Sequence, residues 1–512
     1  MIACEQKALG YFAEGESRRS QSGQYFDIFD PSTGQVIARA PHCTEQEVNL
    51  AIQSAKVAFP AWAGTPAIRR VQVLYRFRDL IGQHLDELTL LVCTENGKVW
   101  EEAQGDVLKA KEAVELGCGV PSQMMGDSLM DASSGYDTVL YREPLGVFAG
   151  IAPFNFPAMI PVGWMLPLCI ATGNALVLKA ASMTPMTSMR MVELLYEAGL
   201  PKGVVNPVTC SRCEADIVLK HPDLKGITFV GSTSIGLHVY STAAAHGKRV
   251  QALCESKNHA LVLEDAPLER TARGIINAAF GCAGERCMAL PAIAVQESVA
   301  DQLVALLVRL AKERKIGPAY DKTSELGPLV TNDRRKFVAG WIEKGVSEGA
   351  RLVLDGRGAV VKGYEGGYYL GPRIFDHVEP GMSRGDEEIF GPVTAIKRVN
   401  GFEEGLAPMN ASRFANGSTI FTQSGHCARE FPKRTHGGMV GINVGFPSRW
   451  VCSPLPGTRV RSSATCTLWE RTASGSSPNR SASLRRGSAK RRRRRRRWTR
   501  GTECWGAEPQ AA

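Results

Sequence analysis

The spacing of apolar and polar positions changes several times along the chain, and each change predicts an element. Tyr25-Phe26-Asp27-Ile28-Phe29 alternates as a strand does, and Asp30-Pro31-Ser32-Thr33-Gly34 closes it with a turn. Thr44 followed by Glu47 is a capping box, and a helical apolar period runs from there through Val57. Two further helices follow, Ile68 to Gly82 and Leu85 to Asn96. From 137 to 260 the rhythm is strand, helix, strand. Val147 to Ala152, Ala175 to Lys179 and Gly226 to Val230 are short, largely apolar runs. Runs of that kind are parallel strands covered by helices on both faces. The same alternation continues from 261 to 445, so the pattern predicts an α/β protein with two doubly wound domains. After Gly445 no period of either kind persists.

Charge separates the same two parts. Residues 446–512 hold 16 Lys and Arg against 3 Asp and Glu, so the remainder holds 45 against 48. The net charge of +10 therefore belongs to the tail, which contains an unbroken arginine run from Arg491 to Arg497. A Ser- and Arg-rich segment cannot bury a core, and it is expected to be disordered. The longest apolar stretch, Met159 to Ile170, is broken by Pro161, Gly163 and Pro167. It falls short of the roughly 20 residues that span a bilayer. Met1 to Arg18 carries Glu5, Glu14 and Glu16 and reads as neither a signal nor a transit peptide. Fourteen cysteines without framework spacing suit reduced thiols in a cytoplasm. Cys210-Ser211-Arg212-Cys213 has metal spacing but no second pair, and no metal is expected.

Three motifs carry candidate chemistry. In Gly281-Cys282-Ala283-Gly284-Glu285-Arg286-Cys287-Met288, small residues leave room beside a cysteine, and Arg286 can favour its thiolate. A lone cysteine is more often a buried structural one, and context has to decide. Pro153-Phe154-Asn155-Phe156-Pro157 follows a strand end, where Asn155 either shapes a turn or aims an amide at an oxyanion. Phe229-Val230-Gly231-Ser232-Thr233-Ser234-Ile235-Gly236 opens a helix after a strand, a setting that suits a pyrophosphate.

These three motifs, in this order, resemble the aldehyde dehydrogenase superfamily from about residue 10 to 445. Glu95-Asn96-Gly97-Lys98, the Gly173-Asn174 before Lys179, and Glu387 to Val393 add to the match. Gly284 to Met288 with Lys257-Asn258-His259 is similar to its CoA-acylating branch, which acts on methylmalonate and malonate semialdehydes.

The resemblance implies the following. Cys287 attacks the aldehyde, and Asn155 with the Cys287 N–H holds the oxyanion. The adduct passes its hydride to nicotinamide. Lys179, Gly231 and Ser232 hold the adenosine and pyrophosphate side, while Ala152 and Phe154 line the cofactor cleft. Glu388 holds the nicotinamide ribose, with Phe390 beside it. Ser182 stands where the branch has a glutamate for the adenine ribose, so the cofactor is NAD with NADP possible. Arg286 and Lys109 stand where the branch binds a substrate carboxylate with two arginines, and a lysine makes no bidentate clamp. Hydrolytic members carry a glutamate base where this chain has Leu253, so CoA is the implied acyl acceptor; Glu255 lies two positions away and is given no role. His259 reads as structural.

The implied domains are a discontinuous NAD(P)-binding domain at 1–122 and 143–252, an oligomerisation arm at 123–142, and a catalytic domain at 253–445. Partners are the aldehyde and CoA, with a homo-oligomer (dimer or tetramer) if the C-terminus were intact, no membrane, and no nucleic acid expected. Beyond Gly445 the resemblance stops. One choice of codons for Arg449 to Pro454, read from the last base of the arginine codon, spells Met-Gly-Val-Phe-Pro. From the last base of the Ser462 codon, the codons through Glu470 can spell Phe-Gly-Asp-Leu-His-Ala-Leu-Gly in the same frame. Both strings are family-like, so the tail reads as a shifted frame that removes a pocket wall and a subunit-pairing strand. Two other readings stay open. One is a hydrolytic dehydrogenase that releases a free acid. The other is an inactive product whose arginine-rich tail binds polyanions.

Overall fold

The computed structural model describes residues 7–379, 381–382 and 387–445, with the backbone of 481–486. The chain forms two compact units, 1–125 with 142–479, and 126–141 with 480–512.

The first unit opens with short strands β1 (Lys7–Ala8), β2 (Tyr11–Ala13), β3 (Glu16–Arg18), β4 (Tyr25–Asp30) and β5 (Gln35–Pro41). The alternation expected at 25–29 is β4, and it pairs antiparallel with β5. The capping box forms as the spacing predicts. Glu47 N donates to Thr44 Oγ1 at 3.3 Å, and Thr44 N donates to Glu47 Oε2 at 2.8 Å. The helix it starts, Glu45–Gly64, continues past Val57 and through Pro60. Trp62 is buried and its Nε1 donates to the Ile170 carbonyl at 2.9 Å, which secures that last turn. The next helices are Ala67–Gln83, Leu85–Asn96 and Trp100–Cys118.

The runs expected as buried parallel strands are β8 (Val147–Ile151), β9 (Ala175–Lys179) and β11 (Leu224–Val230), joined by β10 (Val205–Val208) and β12 (Arg249–Leu253). Their order is β10-β9-β8-β11-β12, and every pair is parallel. The chain winds outward from β8 in one direction and resumes at β11 in the other. The switch point of the sheet therefore lies between β8 and β11, and a crevice forms outside their carboxyl ends.

A seven-stranded sheet follows, built from β13 (His259–Val262), β14 (Ala292–Gln296), β15 (Arg351–Leu354), β16 (Arg373–Asp376), β17 (Val393–Val399), β18 (Gly417–Phe421) and β19 (Met439–Ile442). Its order is β15-β16-β17-β14-β13-β18-β19. Only the β15–β16 pair is antiparallel, an edge strand on an otherwise parallel sheet. The two wound α/β sheets expected from the pattern are both present.

In the second unit, β6 (Ser128–Ser133) and β7 (Tyr136–Tyr141) form an antiparallel hairpin. The expectation that 446–512 holds no strand needs one correction. β20 (Ser481–Arg486) pairs antiparallel with β7, Ser481 opposite Tyr141 and Arg486 opposite Tyr136. The ladder is made by main-chain groups, so an open strand edge accepts a Ser- and Arg-rich partner that no apolar period announces. The rest of the expected disordered tail lies outside the described residues.

Candidate active site

A cleft of about 610 Å³ opens at the carboxyl ends of β8, β9 and β11. Its walls bring together Ala152, Phe154, Asn155, Lys179, Ser182, Gly231, Ser232, Cys287, Glu388 and Phe390, which lie far apart in sequence. Phe154 and Phe390 meet edge to face across it, ring centroids 6.0 Å apart.

The cysteine loop begins where the helix Leu268–Phe280 ends. Cys282 (φ 53°), Ala283 (φ 49°) and Gly284 (φ 72°) are successive left-handed residues. Only the third is glycine, so the first two hold a conformation that costs of order 1–3 kcal/mol each. Glu102 Oε1 accepts from Cys282 N at 2.8 Å and helps hold the turn. Burial pushes the Glu102 carboxyl up, against the pull of Arg286. At Gly284 a β-carbon would stand 2.1 Å from the Gly391 carbonyl oxygen, so the loop and the strand-entry segment touch backbone to backbone. Glu285 Oε2 accepts from Val330 N at 3.1 Å, and burial raises its pKa to about 8. The Cys287 carbonyl accepts from Ser256 Oγ at 2.5 Å, Asn258 Nδ2 at 2.8 Å and Asn416 Nδ2 at 3.2 Å. The main chain at Cys287 is thus tied down while the half-buried thiol faces the cleft.

Asn155 reaches this loop. Its Nδ2 donates to the Glu285 carbonyl at 3.0 Å, and the amide carries a second hydrogen for a substrate oxygen. The turn that presents Asn155 is seated by the Glu95-Asn96-Gly97-Lys98 motif. Asn96 Nδ2 and Thr184 Oγ1 both donate to the Phe154 carbonyl at 3.0 Å. Gly97 takes φ 89° to end its helix. Lys98 Nζ lies 3.5 Å from the Phe156 ring centroid and bonds Asp106 Oδ2 at 2.7 Å, with both side chains buried. Asp106 Oδ1 accepts from Met159 N at 2.7 Å. Glu95 accepts from Met186 N at 2.6 Å and Thr187 N at 2.8 Å at the start of the helix Met186–Glu197.

The opposite end of the cleft fits a dinucleotide. The helix Thr233–Ala245 starts at Ser232, whose hydroxyl makes no cap bond, and Thr233 Oγ1 is buried without a partner. Main-chain N–H groups and the helix dipole there favour a phosphate. Lys179 lines the same region, its pKa lowered by burial. Ser182, Arg212 and Asp216 also line the cleft, so charges of both signs border it.

Arg286 and Lys109 do not line this cleft. Arg286 Nη2 donates to the Asn277 and Ala278 carbonyls at 3.0 and 3.1 Å, at the carboxyl end of the preceding helix. Lys109 is exposed and pairs with Glu112 at 2.6 Å. Leu253 is buried at the end of β12, and Glu255 lines the cleft. His259 is buried with its pKa lowered to about 4 by burial, a neutral core histidine. Cys210 is buried and Cys213 exposed. Sequence reasoning passed over Arg334, which lines the cleft and donates to the Ile389 and Phe390 carbonyls, both at 2.9 Å. No local pattern marks it, because its partners are more than fifty residues away. Among the described residues no helix is long and apolar enough to cross a membrane.

The chain matches the aldehyde dehydrogenase family over residues 18–463, past the point where the motifs end. It is 44% identical to malonate-semialdehyde dehydrogenase 3 of Geobacillus kaustophilus, covering 88% of this chain and 93% of that one. It is 42% identical to malonate-semialdehyde dehydrogenase 1 of Oceanobacillus iheyensis, covering 88% and 92%. Among solved structures it is similar to the methylmalonate-semialdehyde dehydrogenase of Oceanimonas doudoroffii, with a TM-score of 0.92, 35% identity, and 94% and 99% of the two chains covered. A Sinorhizobium meliloti protein described by the same activity and crystallised with NAD gives a TM-score of 0.92 at 36% identity, covering 94% and 99%.

Proposed function

Because this chain belongs to the aldehyde dehydrogenase family, we propose that it oxidises malonate or methylmalonate semialdehyde with NAD and transfers the acyl group to CoA. The Cys287 thiolate attacks the aldehyde carbon and a C–S bond forms. The Asn155 amide and the Cys287 N–H hold the resulting oxyanion, each such donor contributing roughly 3 kcal/mol. NAD, when bound, accepts the hydride, two electrons with one proton, whose loss turns this adduct into a thioester. Lys179, Gly231 and Ser232 hold its adenosine and pyrophosphate part, Glu388 its nicotinamide ribose, and Ala152, Phe154 and Phe390 its remaining contacts. The CoA thiol then attacks the thioester carbonyl and Cys287 leaves as thiolate. A β-carboxylated acyl group loses CO2, and propionyl-CoA or acetyl-CoA results.

One observation carries acyl transfer to CoA over water: the apolar, buried Leu253 stands where hydrolytic members carry the base. In a frame-restored protein, steady-state NADH formation is expected to require CoA and to yield an acyl-CoA, read by absorbance and product analysis. Fast free-acid release without CoA would reject this reading in favour of the hydrolytic one. The free, mostly buried cysteines suit a cytoplasmic enzyme. The hairpin of β6 and β7 is proposed as the arm of a homo-oligomer.

Arg286, with Lys109, is proposed to meet the substrate carboxylate. Arg286→Leu is expected to lower kcat/KM for methylmalonate semialdehyde at least tenfold more than for propanal. Equal losses on the two aldehydes would make Arg286 a residue that only shapes its loop. Lys109→Arg is expected to preserve or improve the charged substrate, since a fork replaces a point charge.

A further inference from the structure

The connection between β12 and β13 passes directly behind both the nucleophile and the cofactor carboxylate. Ser256 lies in it and is 2% exposed. Its backbone N–H donates to Glu388 Oε1 at 3.1 Å, and its Oγ lies 3.1 Å from the same oxygen. That Oγ also lies 2.5 Å from the Cys287 carbonyl. On either side the segment grips the same two neighbours. Lys257 Nζ donates to the Glu387 carbonyl at 2.8 Å, and Asn258 Nδ2 to the Cys287 and Ala289 carbonyls at 2.8 and 2.7 Å.

The two attachments of Ser256 are unequal. The Cys287 carbonyl has two amide donors besides the hydroxyl, Asn258 and Asn416. Removing the hydroxyl leaves that end held. Glu388 sits on a cleft wall, where its aim depends on what fixes its carboxylate. A carboxylate held in place by donors on one oxygen meets a ribose hydroxyl without losing rotamer freedom at that moment.

We propose that Ser256 is a positioning residue for cofactor binding: it fixes the Glu388 carboxylate against the backbone of the nucleophile loop, and so sets how tightly the nicotinamide ribose is held. The inference rests on the assignment of Glu388 to that ribose. It predicts that Ser256 acts on the affinity for NAD through Glu388, and on the thioester-forming step hardly at all.

The test is a double-mutant cycle in the full chain, with NAD dissociation constants measured by calorimetry and kcat measured at saturating NAD. Ser256→Ala is expected to weaken NAD three- to tenfold, as the loss of one hydroxyl hydrogen shared between Glu388 and the Cys287 carbonyl does, with kcat changed less than twofold. Ser256→Thr, which keeps the hydroxyl, restores most of the affinity. In a Glu388→Ala background, Ser256→Ala adds nothing to the weakening. Ser256→Gly serves in place of alanine if that variant folds poorly. An equal NAD loss from Ser256→Ala with and without Glu388 overturns the proposal, as does an unchanged NAD affinity or a fall in kcat alone. If Glu388→Ala binds NAD normally, the ribose assignment fails and the inference goes with it. That result is separate from additive losses, which leave the assignment standing.

Discussion

A Cys287→Ala chain is expected to form no measurable NADH from any aldehyde, with a fall of roughly 10⁴-fold or more, while its affinity for NAD stays within about twofold of the parent. The size of the loss follows from the absence of a substitute among the described thiols. Cys254 also lines the cleft, but its Sγ occupies the space beside Gly236, 2.2 Å from where a β-carbon would stand. Cys282 is buried, and burial raises its pKa to about 12, so it supplies no thiolate at neutral pH. The unchanged affinity follows because the proposed pyrophosphate and ribose contacts come from β9, β11 and the segment after β16, none of which leans on the Cys287 thiol. The two readouts are NADH absorbance at saturating aldehyde and CoA, and NAD titration by calorimetry. Turnover within tenfold of the parent would sink the assignment of the nucleophile.

Asp106→Ala should be the most destabilising single truncation near the site, at about 3–5 kcal/mol. Asp106 has no exposed side-chain surface and Lys98 has 2%. Burial pushes the Asp106 carboxyl up and Lys98 pulls it down, which is the balance of a paired interior charge. Alanine strands the ammonium of Lys98 in the interior and leaves the Met159 N–H without its acceptor. A Lys98→Met, Asp106→Leu double replacement should recover much of the stability, because it removes both charges together. Activity should not recover with it, since Lys98 also seats the Phe156 ring beside Asn155. Urea denaturation of the three proteins measures this. A loss under 1 kcal/mol for Asp106→Ala would mean that water reaches the pair.

What could be read from the sequence was whatever rests on local period or local chemistry. β8, β9 and β11 were legible because a strand covered on both faces reads as a near-continuous apolar run rather than an alternation. The capping box at Thr44 was legible because both of its bonds close within four residues. The cysteine loop, the turn at Asn155 and the helix start at Ser232 were legible as motifs, and the cleft unites them. What was not legible depends on partners distant along the chain. Glu95 to Lys98 matched the family without showing its task, which is to seat a turn nearly sixty residues later. The part played by Ser256 was not legible, because its bonds to Glu388 span 132 positions. Arg286 and Lys109 were placed together by resemblance. Arg286 bonds to helix-end carbonyls and Lys109 to Glu112, contacts that depend on side-chain direction rather than on spacing. β20 has no apolar period at all, and only the open edge of β7 explains it.

The contact of Gly284 with Gly391 has a consequence for how such an enzyme diverges. Two opposing main chains fix the gap between the cysteine loop and the segment that carries Glu388, so the gap behaves as a gauge block rather than a spring. Side-chain drift cannot widen it by fractions of an ångström, because no side chain lies in between. Any residue larger than glycine at position 284 must both push the two chains apart and adopt a left-handed backbone. A lineage that adapts to a bulkier aldehyde is therefore confined to changing the residues around the opening. The distance between the thiol and the cofactor wall would stay constant while the range of substrates changes.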